Sequence, residues 1–124
     1  MHALAHPLGA VHGVHHGLLN AVLMPFVLAA NRPVIGAEAA YLARCLGVGA
    51  NLDDLIAWVL ALRLAIGIPT SLAEAGVKGA DVGALAAMAV ADPSAATNPI
   101  QFGAAEYAAI LEQALAGDLA EADA

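Results

Sequence analysis

MHALAHPLGAVHGVHHG, residues 1–17, contains every histidine of the chain: His2, His6, His12, His15 and His16. Neutral imidazole is the commonest protein ligand for a transition metal and the usual acid or base near neutral pH. If Met1–His6 forms a helix end, His2 and His6 are four apart on one face, and His12 and His16 have the same spacing. Pro7 and Gly9 are expected to break that helix, and Gly13 and Gly17 to loosen the next segment. Two histidine pairs flanking a Pro/Gly turn can converge on one point as a metal or catalytic site. The alternatives are a solvated histidine-rich end or hydrogen-bonded packing on an apolar helix, since the spacing is not that of a sharp zinc signature.

Outward from this stretch the pattern is helix after helix. His15–Asn31 is long and apolar with little polar surface, so it is expected to be the central and most buried helix, kinked near Pro25 and ended by Asn31-Arg32-Pro33. The spacing predicts a second helix over Gly36–Leu46, with Ala39, Leu42, Ala43 and Leu46 as its apolar stripe and Gly47 as its stop. Asn51 caps a third, with Asp53 and Asp54 in its first turn, running to about Ile66 with Leu55, Val59, Leu62 and Ile66 on one face. Trp58 reads as a core or interface anchor. Ser71 with Glu74 predicts a capped short helix closed by Gly76. Ala80–Ala91 comes next, with Leu85, Met88 and Ala89 inward, and then a polar turn over Ser94–Pro99. Gly103–Ala116 carries a stripe of Tyr107, Ile110, Leu111 and Leu115, stopped by Gly117. No strand is expected. The fold class is all-α, an irregular bundle of about six helices forming one domain over residues 1–124, without repeat or linker.

Composition narrows the function classes. The chain is 61% hydrophobic and 12% charged, where an ordinary soluble domain carries roughly 25% charged residues. Its apolar runs, Leu18–Ala30 and Leu55–Ile68, are interrupted and short of the roughly 20 residues a membrane span needs. No membrane role is expected, and apolar faces are expected to meet another domain or a second copy instead. The N-terminus lacks the cationic region of a secretory signal. The net charge is −7 with four cations, Arg32, Arg44, Arg63 and Lys78. Without a basic stripe, nucleic-acid binding is not expected. Cys45, the lone cysteine, reads as a buried thiol, consistent with a cytoplasmic origin. The acids Glu112, Asp118, Glu121 and Asp123 read as a solvated, frayed tail.

His2-Ala3-Leu4-Ala5-His6-Pro7-Leu8-Gly9, followed by His16-Gly17-Leu18-Leu19-Asn20-Ala21 and Pro25, resembles the metal-site signature of the iron-containing (type III) alcohol dehydrogenases. The resemblance continues more weakly through Gly67-Ile68-Pro69 and Asn98-Pro99. It implies the helical half of a dehydroquinate synthase-like fold, in which a metal sits between this half and an N-terminal dinucleotide-binding domain. By resemblance His2 and His16 are metal ligands, and His6 stands near the substrate, orienting it or relaying a proton. His12 and His15 have no fixed role. The loop at Asn98-Pro99-Ile100 is expected, again by resemblance, to return toward the histidines. The metal implied is Fe²⁺, with Zn²⁺ as the alternative, and NAD(P) would be held by the other domain. The family's other two ligands come from an Asp-x3-His helix. No such motif and no glycine-rich phosphate loop occurs here, so the chain is expected to be a C-terminal half that is inactive alone. Its expected partners are that missing half or a second copy, with a small alcohol or aldehyde as substrate of the complete enzyme. The competing readings are a self-associating helical module that binds a divalent metal through its N-terminal histidines, and a structural remnant without chemistry.

Overall fold

The computed structural model describes residues 1–119, and its elements are helices. They are α1 (His2–His12), α2 (His16–Ala30), α3 (Arg32–Leu46), α4 (Leu52–Ala65), α5 (Val82–Ala91), a 3-10 turn (Pro93–Thr97) and α6 (Ala104–Ala116). No strand occurs among the described residues. Glu121 and Asp123, read as part of a frayed tail, lie outside them.

The largest departure from expectation is α1, which continues through Pro7 and Gly9. Proline at this position removes the amide that would bond the carbonyl of Ala3, a cost normally large enough to stop a helix. Here Ala3, Leu4, Ala5, Pro7 and Leu8 are all buried, and that burial outweighs the lost bond. The helix ends at Gly13, whose φ of 68° is left-handed and whose N–H donates to the carbonyl of Gly9 at 3.0 Å. α2 is the central helix, as its composition predicts, with Leu19, Val22, Leu23, Pro25, Phe26 and Val27 buried. It runs as one helix across Pro25.

Asn31 alone separates α2 from α3, and the two axes meet at 112°. α3 therefore begins four residues before the expected start. Pro33 sits in its first turn, where the missing N–H has no helical partner to lose. Asn51 caps α4 as expected, accepting from the Asp54 amide at 2.9 Å. The Ser71 segment is a turn, not a helix. Ser71 Oγ accepts from the Glu74 amide at 3.0 Å, but the Glu74 carboxylate reaches back to the amide and hydroxyl of Thr70 rather than to Ser71.

A main core joins α1, α2, α5 and α6 around Leu4, Leu8, Leu23, Phe26, Leu85 and Leu111. A smaller one joins α3 and α4 through Ala39, Ala43, Leu52, Leu55 and Ile56. Arg63, 8% exposed, ties α4 to α2: its Nη1 donates to the Val22 carbonyl at 3.0 Å, and its guanidinium lies 6.0 Å from the centre of the Phe26 ring. Several residues of the expected apolar faces are exposed: Leu42, Leu46, Leu62, Ile66 and Met88. Cys45 is exposed too, so the expectation of a buried thiol is corrected. Among the described residues no single helix is long and apolar enough to cross a membrane; the bent pair α2–α3 passes a length and composition test only when taken together.

Candidate metal and substrate site

The continuity of α1 through Pro7 keeps His2 and His6 one turn apart on one face, and the tight α1–α2 connection brings His16, the first residue of α2, beside them. The three rings form a cluster. Ring centres are 5.3 Å apart for His2–His16, 5.4 Å for His6–His16 and 5.9 Å for His2–His6. His6 stacks on His16 at an interplanar angle of 16°. All three side chains lie at the exposed surface.

The other two histidines are used differently. His15 caps α2, its Nδ1 accepting from the Gly17 amide at 3.1 Å. A Cβ at Gly17 would come within 3.2 Å of that ring, so glycine lets the ring fold over the helix start. His12 ends α1, with its Nε2 buried and without a hydrogen-bond partner. The expected convergence of two i,i+4 pairs is thus replaced by a cluster of three, with His12 left out.

Each ring of the cluster has its own surroundings. The amide nitrogen of Asn20, one turn along α2, donates to His16 Nε2 at 3.0 Å. His6 Nδ1 lies 2.9 Å from Asp92 Oδ2, at the end of α5. The other oxygen of Asp92 accepts from the Ser94 amide at 2.8 Å, which also caps the 3-10 turn. Burial by itself would raise the Asp92 pKa, but the Ser94 amide and His6 together outweigh it and hold the carboxyl below its usual value. Sequence reasoning does not single out Asp92. Asp-Pro is a turn signal, and nothing local announces a partner 86 residues away.

Beside His2 opens a cavity of about 160 Å³, lined also by Met1, Ala3, Ser94, Thr97, Asn98, Pro99 and Tyr107. The Asn98-Pro99 loop thus returns to the histidine face as expected. Asn98 is held there by Asn31 through a reciprocal amide pair of 3.0 and 2.7 Å. Tyr107 is buried under this wall, and burial together with the Asp92 charge raises its pKa.

The donor set fits half of a metal site. Two imidazoles on one tetrahedral ion, with metal–nitrogen bonds of about 2.1 Å, have ring centres roughly 5.2 Å apart, close to the 5.3 Å between His2 and His16. Among the described residues no group of three or more His, Cys, Asp or Glu side chains is arranged to hold an ion. Two histidines leave at least two positions to be filled from elsewhere.

The chain is similar to known proteins over most of its length. The family model for the Fe-containing alcohol dehydrogenase family, C-terminal, matches residues 1–115. The chain is 37% identical to lactaldehyde reductase of Escherichia coli over 106 residues, covering 80% of this chain and 28% of that protein. It is 38% identical to 1,3-propanediol dehydrogenase of Klebsiella pneumoniae over 121 residues, covering 92% of this chain and 31% of that protein. The iron-containing alcohol dehydrogenase structure from Thermococcus thioreducens superposes with a TM-score of 0.84 at 30% identity, over 94% of this chain and 32% of that one. The chain spans less than a third of the length of the relatives it matches. From the ring cluster at the helix starts to the loop that returns at Asn98, the chain belongs to the iron-containing alcohol dehydrogenase family and corresponds to its C-terminal helical domain.

Proposed function

We propose that this domain carries two metal ligands, His2 and His16, and one substrate-facing imidazole, His6, of a metal-dependent, NAD(P)-linked alcohol dehydrogenase. The observation that carries the reading is the meeting of these three rings, with centres 5.3–5.9 Å apart, and the place of one of them, His2, on the wall of a cavity. Fe²⁺, with Zn²⁺ as the alternative, would polarise the oxygen of a small alcohol or aldehyde while hydride passes between its carbon and a nicotinamide held by another domain. His2 and His16 would present neutral nitrogens to the ion, His16 exchanging the Asn20 amide at Nε2 for it. His6, paired with Asp92 through Nδ1, would orient the substrate hydroxyl and relay its proton, and its exposed ring gives that proton a route to water. The loop at Asn98-Pro99 forms the outer wall against which a short substrate rests. In this reading the apolar face of α3 and α4 meets the cofactor-binding part of the enzyme or a second copy, and the assembly works in the cytoplasm.

The 124-residue chain by itself is expected not to oxidise NAD(P)H with a short aldehyde. The test is a chimera in which this chain replaces the corresponding segment of lactaldehyde reductase. Iron-dependent aldehyde reduction is expected, lost by a factor on the order of 100 in His2→Ala and His16→Ala, because removing a ligand releases the ion. Full activity in either variant would remove the metal assignment, and turnover by the unfused chain would remove the division of labour.

A further inference from the structure

We propose that Asp92 is a positioning residue for His6: its carboxylate fixes the imidazole in the Nδ1–H tautomer and leaves Nε2 as the acceptor presented to substrate. This rests on the reading of His6 as the substrate-side imidazole.

The argument is one of donors and acceptors. His6 Nδ1 and Asp92 Oδ2 are 2.9 Å apart. An ionised carboxylate has no proton to give, so the proton on this contact belongs to the ring, and in neutral imidazole a proton on Nδ1 leaves Nε2 bare. The carboxylate is itself fixed. Its second oxygen is taken by the Ser94 amide at 2.8 Å, and the side chain is 12% exposed against 46% for His6. The pair bridges α1 and the end of α5, two helices packed against one another, so the ring is oriented from a second helix as well as from its own. Stacking on His16 restrains the plane of the ring but says nothing about which nitrogen is protonated; Asp92 supplies that.

The consequence is chemical. An imidazole with a bare Nε2 accepts a hydroxyl proton, becomes imidazolium and is stabilised by the carboxylate behind it. The opposite tautomer would present a donor to the hydroxyl and could not take its proton.

The test uses the 124-residue chain with ¹⁵N-labelled histidine, read by long-range ¹H–¹⁵N correlation at one pH without metal. In the native sequence His6 is expected predominantly as the Nδ1–H form. Asp92→Asn keeps an oxygen for the Ser94 amide and turns an NH₂ toward His6 Nδ1, so the majority tautomer should invert to Nε2–H. Asp92→Ala should give a mixture close to that of a free imidazole. An unchanged His6 tautomer in both variants, with helicity and melting temperature retained, overturns the proposal. In the chimera Asp92→Asn is expected to lower kcat about 10- to 100-fold with KM little changed; a proportional change in KM alone overturns it as well. The tautomer measurement needs neither ion nor cofactor, so loss of the metal assignment through His2 and His16 would leave its outcome intact, and the two failures are distinguishable.

Discussion

Asp92 shows what a single residue does in this site and how that can be measured. Against the raising effect of burial, the Ser94 amide and His6 hold its carboxyl below the ordinary value. A carboxyl with a depressed pKa in the folded state stabilises the fold above its unfolded value and loses that contribution as pH falls through the folded one. The melting temperature of the native chain should therefore exceed that of Asp92→Ala at about pH 6, and the gap should narrow as pH falls below the unfolded value near 3.9. A gap that does not change with pH would show that the substitution acts through packing. At this scale the sequence is only partly legible. Family resemblance marks His2, His6 and His16 as a group, but spacing alone pairs His12 with His16. That His12 and His15 are bystanders depends on where α1 ends, at Gly13, and on His15 turning back to cap α2. The Asp92 contact spans the chain and has no local signature.

At the scale of the element, signals confined to three or four residues are legible. Asn51, Gly47, Gly103 and Gly117 stand at helix ends as expected, because a cap is decided by groups within one turn. Asn51→Ala removes the acceptor for the Asp54 amide at 2.9 Å and should cost about 1 kcal/mol in a urea unfolding series. Less than about 0.3 kcal/mol would mean that water replaces the cap fully. Signals that need the rest of the molecule mislead. Pro7 and Gly9 are poor helix residues in isolation, but the face they sit on is buried, and burial decides. Ser71 and Glu74 have the spacing of a capped helix, but Gly76 comes soon after at φ 109°, so the segment closes as turns.

At the scale of the molecule the exposed apolar residues are concentrated on α3 and α4. Tyr41, Leu42 and Leu46 lie on the first, and Trp58, Leu62 and Leu64 on the second, with Ile66 at its end. Helical periodicity shows that Leu42, Leu46, Leu62 and Ile66 share faces with buried neighbours, but periodicity cannot tell whether a face is covered from inside the chain or by a partner. With low charge and this much apolar surface, the isolated chain is expected to self-associate. Light scattering at roughly 10–100 µM should give a mass above that of the monomer, and Leu64→Glu with Ile66→Glu should return it to monomer without lowering helicity. A monodisperse monomer in the native sequence would show that this face needs no partner.

The corner at Asn31 has a mechanical meaning. Its side chain grips Asn98 through two amide bonds while its backbone is the single joint between α2 and α3. One residue thus serves both as the corner that turns α3 away from α2 and as the clasp of the Asn98 wall beside His2.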